Sequence, residues 1–184
     1  MNELRQRLAL AFARYADDYP DELAAGDFAR LLGDNMPVFS RSNLQAHFTG
    51  SAWLVSADGK RVLLTHHRKL GRWLQLGGHA DGDEDLARVA LREAEEESGL
   101  SDLVIDDPHI FDIDRHWIPA RGDEPGHWHY DVRFIVRATE SEAFAISEES
   151  LELAWLAVEP IAQDSDADNS LRRMAQKWLR RAVQ

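Results

Sequence analysis

Glu93, Glu96 and Glu97 stand three and four residues apart in the run LREAEEESGL. On a helix that spacing gathers their carboxylates into one arc of about 100°, one turn apart. Side by side they repel one another, a cost that a purely structural helix has no reason to carry. A divalent cation removes the repulsion. Hard oxygen donors on a rigid helix suit Mg²⁺ or Mn²⁺, ions that keep several waters and also bind phosphate groups. The chemistry these residues offer is therefore divalent-metal chemistry on a phosphate-bearing substrate.

The elements that must position them are legible on either side. Asp83 or Asp85 can cap the start of the helix, and Gly99 stands where a left-handed C-terminal cap is wanted. Ala87, Ala90, Leu91, Ala94 and Ser98 form one stripe at 100° per residue, small enough to predict close packing on a sheet. A short strand, 73–76, delivers the chain to Gly77 and Gly78, where the backbone can approach neighbours closely.

The spacing continues beyond the three glutamates. Gly78, five residues, Glu84, seven residues, Arg92-Glu93-Ala94-Glu95-Glu96-Glu97-Ser98-Gly99-Leu100 is similar to the signature of the Nudix hydrolases, with every fixed position filled. At typical residue usage a chance match is on the order of one in ten million or rarer. The resemblance implies an α/β fold, the Nudix α/β/α sandwich with a mixed sheet, over residues 50–160. It implies hydrolysis of a nucleoside diphosphate linked to another group, with water attacking one phosphorus of the anhydride. By that resemblance Glu96 and Glu97 are metal ligands, Glu93 is a further ligand or the base, and the Gly77 carbonyl also binds metal. Arg92 and Glu84 are implied to pair with each other and brace the loop entering the helix. His79, next in the chain, is a candidate phosphate contact, with an exposed loop histidine as the other reading. The base in this family is often a loop acid outside the box, which points to Glu148, Glu149 and Glu152 as candidates for base or extra ligand.

Along the chain, helices are predicted at 3–17 and 21–33, strands at 50–56 and 60–66 around an Ala57-Asp58-Gly59 turn, and extended segments at 103–106 and 109–118. Residues 127–137 alternate most clearly: Trp128, Tyr130, Val132, Phe134 and Val136 form an apolar face, while His127, His129, Asp131 and Arg133 begin a polar one. A strand at 151–156 and a C-terminal helix from about Asn169 follow, the helix burying Leu171, Met174, Ala175, Trp178 and Leu179. We read residues 1–45 as an N-terminal helical extension packed on the core and 46–184 as the Nudix hydrolase domain.

The polar face at 127–133 is expected to border the substrate groove, with His127, His129, Asp131 and Arg133 touching the nucleotide. His127, His129 and Asp131 also have a spacing that could hold a transition metal such as zinc. His66, His67 and His116 add to the histidine density. Arg68, Lys69 and Arg72 offer a basic loop for phosphate, Trp117 could stack on a base or sugar, and Trp128 reads as core.

Composition bounds the function. The 184 residues carry 44% hydrophobic and 29% charged side chains, ordinary for one globular domain. No cysteine means no disulfide and no thiolate metal site, which fits a cytoplasmic setting. A net charge of −12 argues against binding nucleic acid, and no apolar run is long enough to span a membrane. The expected partner is a small nucleotide, an ADP-ribose-like nucleotide sugar or a nucleoside triphosphate, with a homodimer possible. A non-catalytic Nudix nucleotide sensor is the alternative. An isomerase built on this fold is disfavoured because its mechanism uses a cysteine.

Overall fold

The computed structural model describes residues 2–22, 24–67, 71–145 and 150–181. Its elements run α1 (Glu3–Asp18), α2 (Ala25–Leu32), β1 (Ala46–Val55), β2 (Arg61–His67), β3 (Arg72–Leu74), β4 (Leu76–His79), α3 (Leu86–Ser98), β5 (Leu103–Ile118), β6 (His127–Ala138), β7 (Ser150–Ala157), α4 (Val158–Gln163) and α5 (Asn169–Arg181). The sheet order is β3-β2-β1-β6-β5, with β4 pairing β1 and β7 pairing β2. It is a mixed sheet, since β1 and β6 run parallel while the other pairs are antiparallel.

Period-2 alternation assigns the two faces. Phe48, Ala52 and Leu54 of β1 join Val132, Phe134 and Val136 of β6 in one core, shared with α1, α2 and α3. Trp53, Val55 and Ile135 point the other way, into a second core closed by Leu171, Met174, Ala175 and Trp178 of α5. Helices thus cover both faces, giving the α/β/α sandwich. Phe28 of α2 shows how the N-terminal helices are held: it packs against Phe12, Phe48 and Tyr130 at ring distances of 5.5, 6.2 and 5.0 Å. Burying one such ring contributes about 1.5–3 kcal/mol.

Helix α3 follows the expected grammar. The Asp85 side chain accepts from the Arg88 amide, and Gly99 closes the helix in the left-handed region at φ 69°. Its buried face is Leu86, Val89, Ala90, Ala94 and Ser98, with Ala87 and Leu91 at the margin. A Cβ on Gly50 would stand 2.8 Å from the Leu86 carbonyl oxygen and 2.9 Å from Val89 Cγ1. The helix therefore sits on β1 closer than any side chain permits.

Several details differ from expectation. Helix α2 is shorter, because its N-cap, Ala24, offers no side-chain acceptor. β5 is one strand rather than two; register shifts between Ile105 and Asp112 break its alternation. Residues 72–79 hold two short strands, and α4 is an additional helix of six residues. Among the described residues no helix is long and apolar enough to cross a membrane.

Candidate active site

β4 delivers the chain to α3 along β1, in the register Ser51↔Gly77, Gly50↔Gly78 and Thr49↔His79. A Cβ on Gly77 would collide with Ser51, and one on Gly78 with the Glu93 carboxylate. The two glycines are thus required by close approach: the first seats the strand, the second leaves room for Glu93 to lie over the backbone. Glu93 is half-buried, and burial raises its pKa against the opposing pull of Arg92. Glu96 is exposed and Glu97 partly so. Arg92 sits among them. One of its terminal nitrogens donates to Glu93 Oε1 at 2.7 Å and to the His79 carbonyl at 3.0 Å, and its Nε lies 3.9 Å from Glu96 Oε1.

The implied Arg92–Glu84 brace is not what forms. Glu84 instead accepts from Arg5 Nε at 2.8 Å and from the Asn2 amide, both at the start of α1. The Asn2 hydrogen bond and the Arg5 charge hold its carboxyl below the usual range. Arg5 also lies over the Phe39 ring at 5.2 Å. The N-terminal helix, not the box arginine, ties down the loop entering α3. Nothing in the sequence spacing links residue 5 to residue 84, so this pairing was illegible.

The polar face of β6 also departs from expectation. Asp131 and Arg133 are each 2% exposed. Asp131 accepts from Thr49 at 2.9 Å, Ser51 at 2.7 Å, Gln75 at 3.2 Å and Arg133 at 2.7 Å. Arg133 also reaches Asp112 at 2.9 Å and Asp114 at 3.3 Å. The network extends through Arg173 and the buried Lys177 of α5, both bonded to Asp112 at 2.7 Å. These groups lock α5 to the sheet, and their charges are spent on one another. The expectation that Asp131 and Arg133 touch the nucleotide is therefore corrected: both side chains are buried and met within the protein, and Arg133 lies against Met174 of α5. Trp128 is corrected in the opposite sense. It is 37% exposed at the sheet margin, in an edge-on pair with Trp117 at 5.3 Å and under Arg115 at 4.9 Å.

His129 and His127 lie on the same face as Asp131, one and two steps nearer the start of β6. They meet His79 and His47, the last a residue the sequence reading missed because it began the strand at Gly50. Its signal was present: His47, Thr49 and Ser51 alternate with Phe48, Gly50 and Ala52. Burial, with the charge of Arg41 next, pushes the His79 pKa down to about 4, and burial among the other rings pushes His129 to about 2. The His79 and His129 imidazoles are therefore neutral near pH 7.

Glu152 is exposed on β7, opposite His66 in the ladder with β2. Arg72 is engaged by Asp168 at 2.9 Å. Glu148, Glu149, Arg68 and Lys69 lie outside the described residues.

The family description "NUDIX domain" matches residues 47–178. Among solved structures, the chain is similar to the MutT protein from Methanosarcina mazei Go1, at 20% identity and TM-score 0.56, covering 74% of this chain and 95% of that one. A MutT NUDIX hydrolase from Burkholderia pseudomallei aligns at 21% identity and TM-score 0.53, over 71% and 95% of the two chains. A C. elegans Ap4A hydrolase aligns at 18% identity and TM-score 0.52, over 74% and 97%. At these identities the structural likeness shows the fold alone. No curated protein matches the sequence. The matched segment spans the strand that carries the glycines, the whole of α3 and the sheet beneath it, and by that match the chain belongs to the Nudix family and is a Nudix hydrolase.

Proposed function

We propose that the protein is a Mg²⁺- or Mn²⁺-dependent hydrolase of a phosphoanhydride linkage in a nucleoside diphosphate derivative, either an ADP-ribose-like nucleotide sugar or a nucleoside triphosphate. The observation that carries this reading is the seating of Glu93 over Gly78, where a Cβ would otherwise stand, with Glu96 and Glu97 on the same helix. The donor set is all oxygen and fits a hard divalent ion. Glu96 and Glu97 would hold it, joined by Glu93 and the Gly77 carbonyl. When bound, such an ion neutralises phosphate charge and lowers the pKa of a coordinated water.

The chain's own residues have separable tasks in this reading. Arg92, forked between Glu93 and the His79 carbonyl, orients the carboxylate and fixes the strand-to-helix turn. Glu93, where it does not serve as a further ligand, is the box residue placed to take a proton from water. Glu152, exposed on β7, is the described candidate for a base outside the box, and Glu148 and Glu149 are the others that the sequence supplies. A net charge of −12 favours a small nucleotide over a nucleic acid as the substrate. Because every box carboxylate is present, catalysis is favoured over the sensor role.

The test is turnover of nucleoside triphosphates, nucleotide sugars and dinucleoside polyphosphates with each metal, comparing the parent protein with Glu96→Gln. Turnover of one class that falls by orders of magnitude in a folded Glu96→Gln supports the reading. A variant that keeps most of the activity removes Glu96 from the metal site. No turnover across the panel by a folded protein that binds nucleotide would favour the sensor.

A further inference from the structure

The histidine cluster is unexplained by the carboxylate site. His47 on β1 and His129 on β6 are direct partners across the parallel ladder, and His129 is in turn opposite His116 on β5. His127 closes the group from the end of β6. The rings of His47, His127 and His129 lie 4.8–5.0 Å apart, centroid to centroid. His79 packs beside them, 5.2 Å from His47 and 5.0 Å from His129. His47 and His127 are 1% and 2% exposed.

The hydrogen bonds set the tautomers. His47 Nδ1 donates to the Asn43 carbonyl at 3.1 Å, and His127 Nδ1 donates to the Pro125 carbonyl at 2.9 Å. Each proton is thereby held on the outer nitrogen, and each Nε2 turns a lone pair into the cluster. A backbone carbonyl on the far nitrogen is how metal-ligating histidines are oriented. His127 Nε2 stands 3.1 Å from His129 Nε2, whereas His47 Nε2 is buried with no hydrogen-bond partner. A buried nitrogen left so forfeits its hydration without compensation unless something takes its lone pair. Nearby Asp131 does not, being engaged by Thr49, Ser51, Gln75 and Arg133.

We propose that His47, His127 and His129 form a binding site for a divalent transition-metal ion of the zinc class, separate from the carboxylate site on α3. One nitrogen from each residue already lies within 4.8 Å of the others. Tetrahedral coordination at about 2.0–2.1 Å sets ligand nitrogens about 3.4 Å apart; the 3.1 Å pair is close to that, and small ring rotations close the remainder. Coordination through Nε2 moves the His129 proton to Nδ1, so three neutral imidazoles bind the ion without net proton loss. Nitrogen donors select zinc, cobalt, nickel or copper over magnesium, which separates the two sites chemically. His79 connects them structurally: its ring stands in the cluster while its carbonyl holds Arg92.

The test uses the full chain without a histidine tag, stripped with chelator and titrated with Zn²⁺ by calorimetry, and loaded with Co²⁺ for its visible spectrum. We expect one Zn²⁺ per chain and the intense bands of tetrahedral Co²⁺. His129→Gln and His127→Gln should each weaken zinc binding by more than about 100-fold, beyond the loss of an outer hydrogen bond. Glu96→Gln should bind zinc like the parent. Circular dichroism establishes that each variant is folded; should His47→Gln fail to fold, the other two histidine variants carry the test. Absence of stoichiometric zinc in the folded parent overturns the proposal. So does zinc binding that survives His127→Gln and His129→Gln together, or that Glu96→Gln alone abolishes.

Discussion

Replacing Arg133 with Met separates a binding role from a structural one. In the structure this guanidinium is shut from solvent and ion-paired to Asp131 at 2.7 Å, Asp112 at 2.9 Å and Asp114 at 3.3 Å. Met retains most of the apolar stem but leaves those carboxylates short of one charge. Removing one partner of a buried ion pair costs about 3–5 kcal/mol. The low end applies here, because Arg173 still reaches Asp112 at 2.7 Å and Asp114 at 3.3 Å, and Asp131 keeps Thr49, Ser51 and Gln75. A loss of about 3 kcal/mol is a large share of the roughly 5–15 kcal/mol that holds a domain folded. For a chain of this size it lowers Tm by about 6–12 °C. Urea unfolding followed by tryptophan fluorescence measures the loss, and initial rates at a temperature where the variant stays folded measure KM. We expect reduced stability and an unchanged KM. A stability within about 1 kcal/mol of the parent, joined to a tenfold rise in KM (about 1.4 kcal/mol of binding), would refute the buried-network account and return Arg133 to the substrate.

Gly50→Ala drives a methyl into the Leu86 carbonyl at 2.8 Å and Val89 at 2.9 Å; overpacking of this kind costs about 1–3 kcal/mol, read as a lower urea midpoint. Arg5 and Glu84 are both partly exposed, so a double-mutant cycle with Arg5→Ala and Glu84→Gln should give a coupling of at most about 1 kcal/mol, and a value of zero would undo the α1 anchor. Burial alone would raise the pKa of Asp112, but Arg173, Arg133 and Lys177 outweigh it and hold it low. Its contribution is therefore present above the unfolded value near 4 and lost as pH falls below it. Tm should drop steeply below about pH 4, and Asp112→Asn should flatten that acid limb at the expense of stability at neutral pH.

The box, the helix carrying it and the alternation of β6 were readable because each depends on local periodicity: a cap at Asp85, a left-handed glycine at 99, carboxylates one turn apart and a two-residue repeat. Periodicity assigns a residue to a face but does not say what covers that face. Trp128 lies on the apolar side of β6 yet reaches the open margin, and Lys177 lies within α5 yet is 3% exposed over Asp112. Arg5 and Glu84, seventy-nine positions apart, meet because α1 folds back over the box loop. Local spacing along the chain thus determined the family, the carboxylate helix and the two faces of its clearest strand. Only the tertiary structure decided that one polar face divides into a buried ion network beneath α5 and an imidazole cluster at its end, because that division depends on which residues of β1, β4, β5 and α5 are brought across from it.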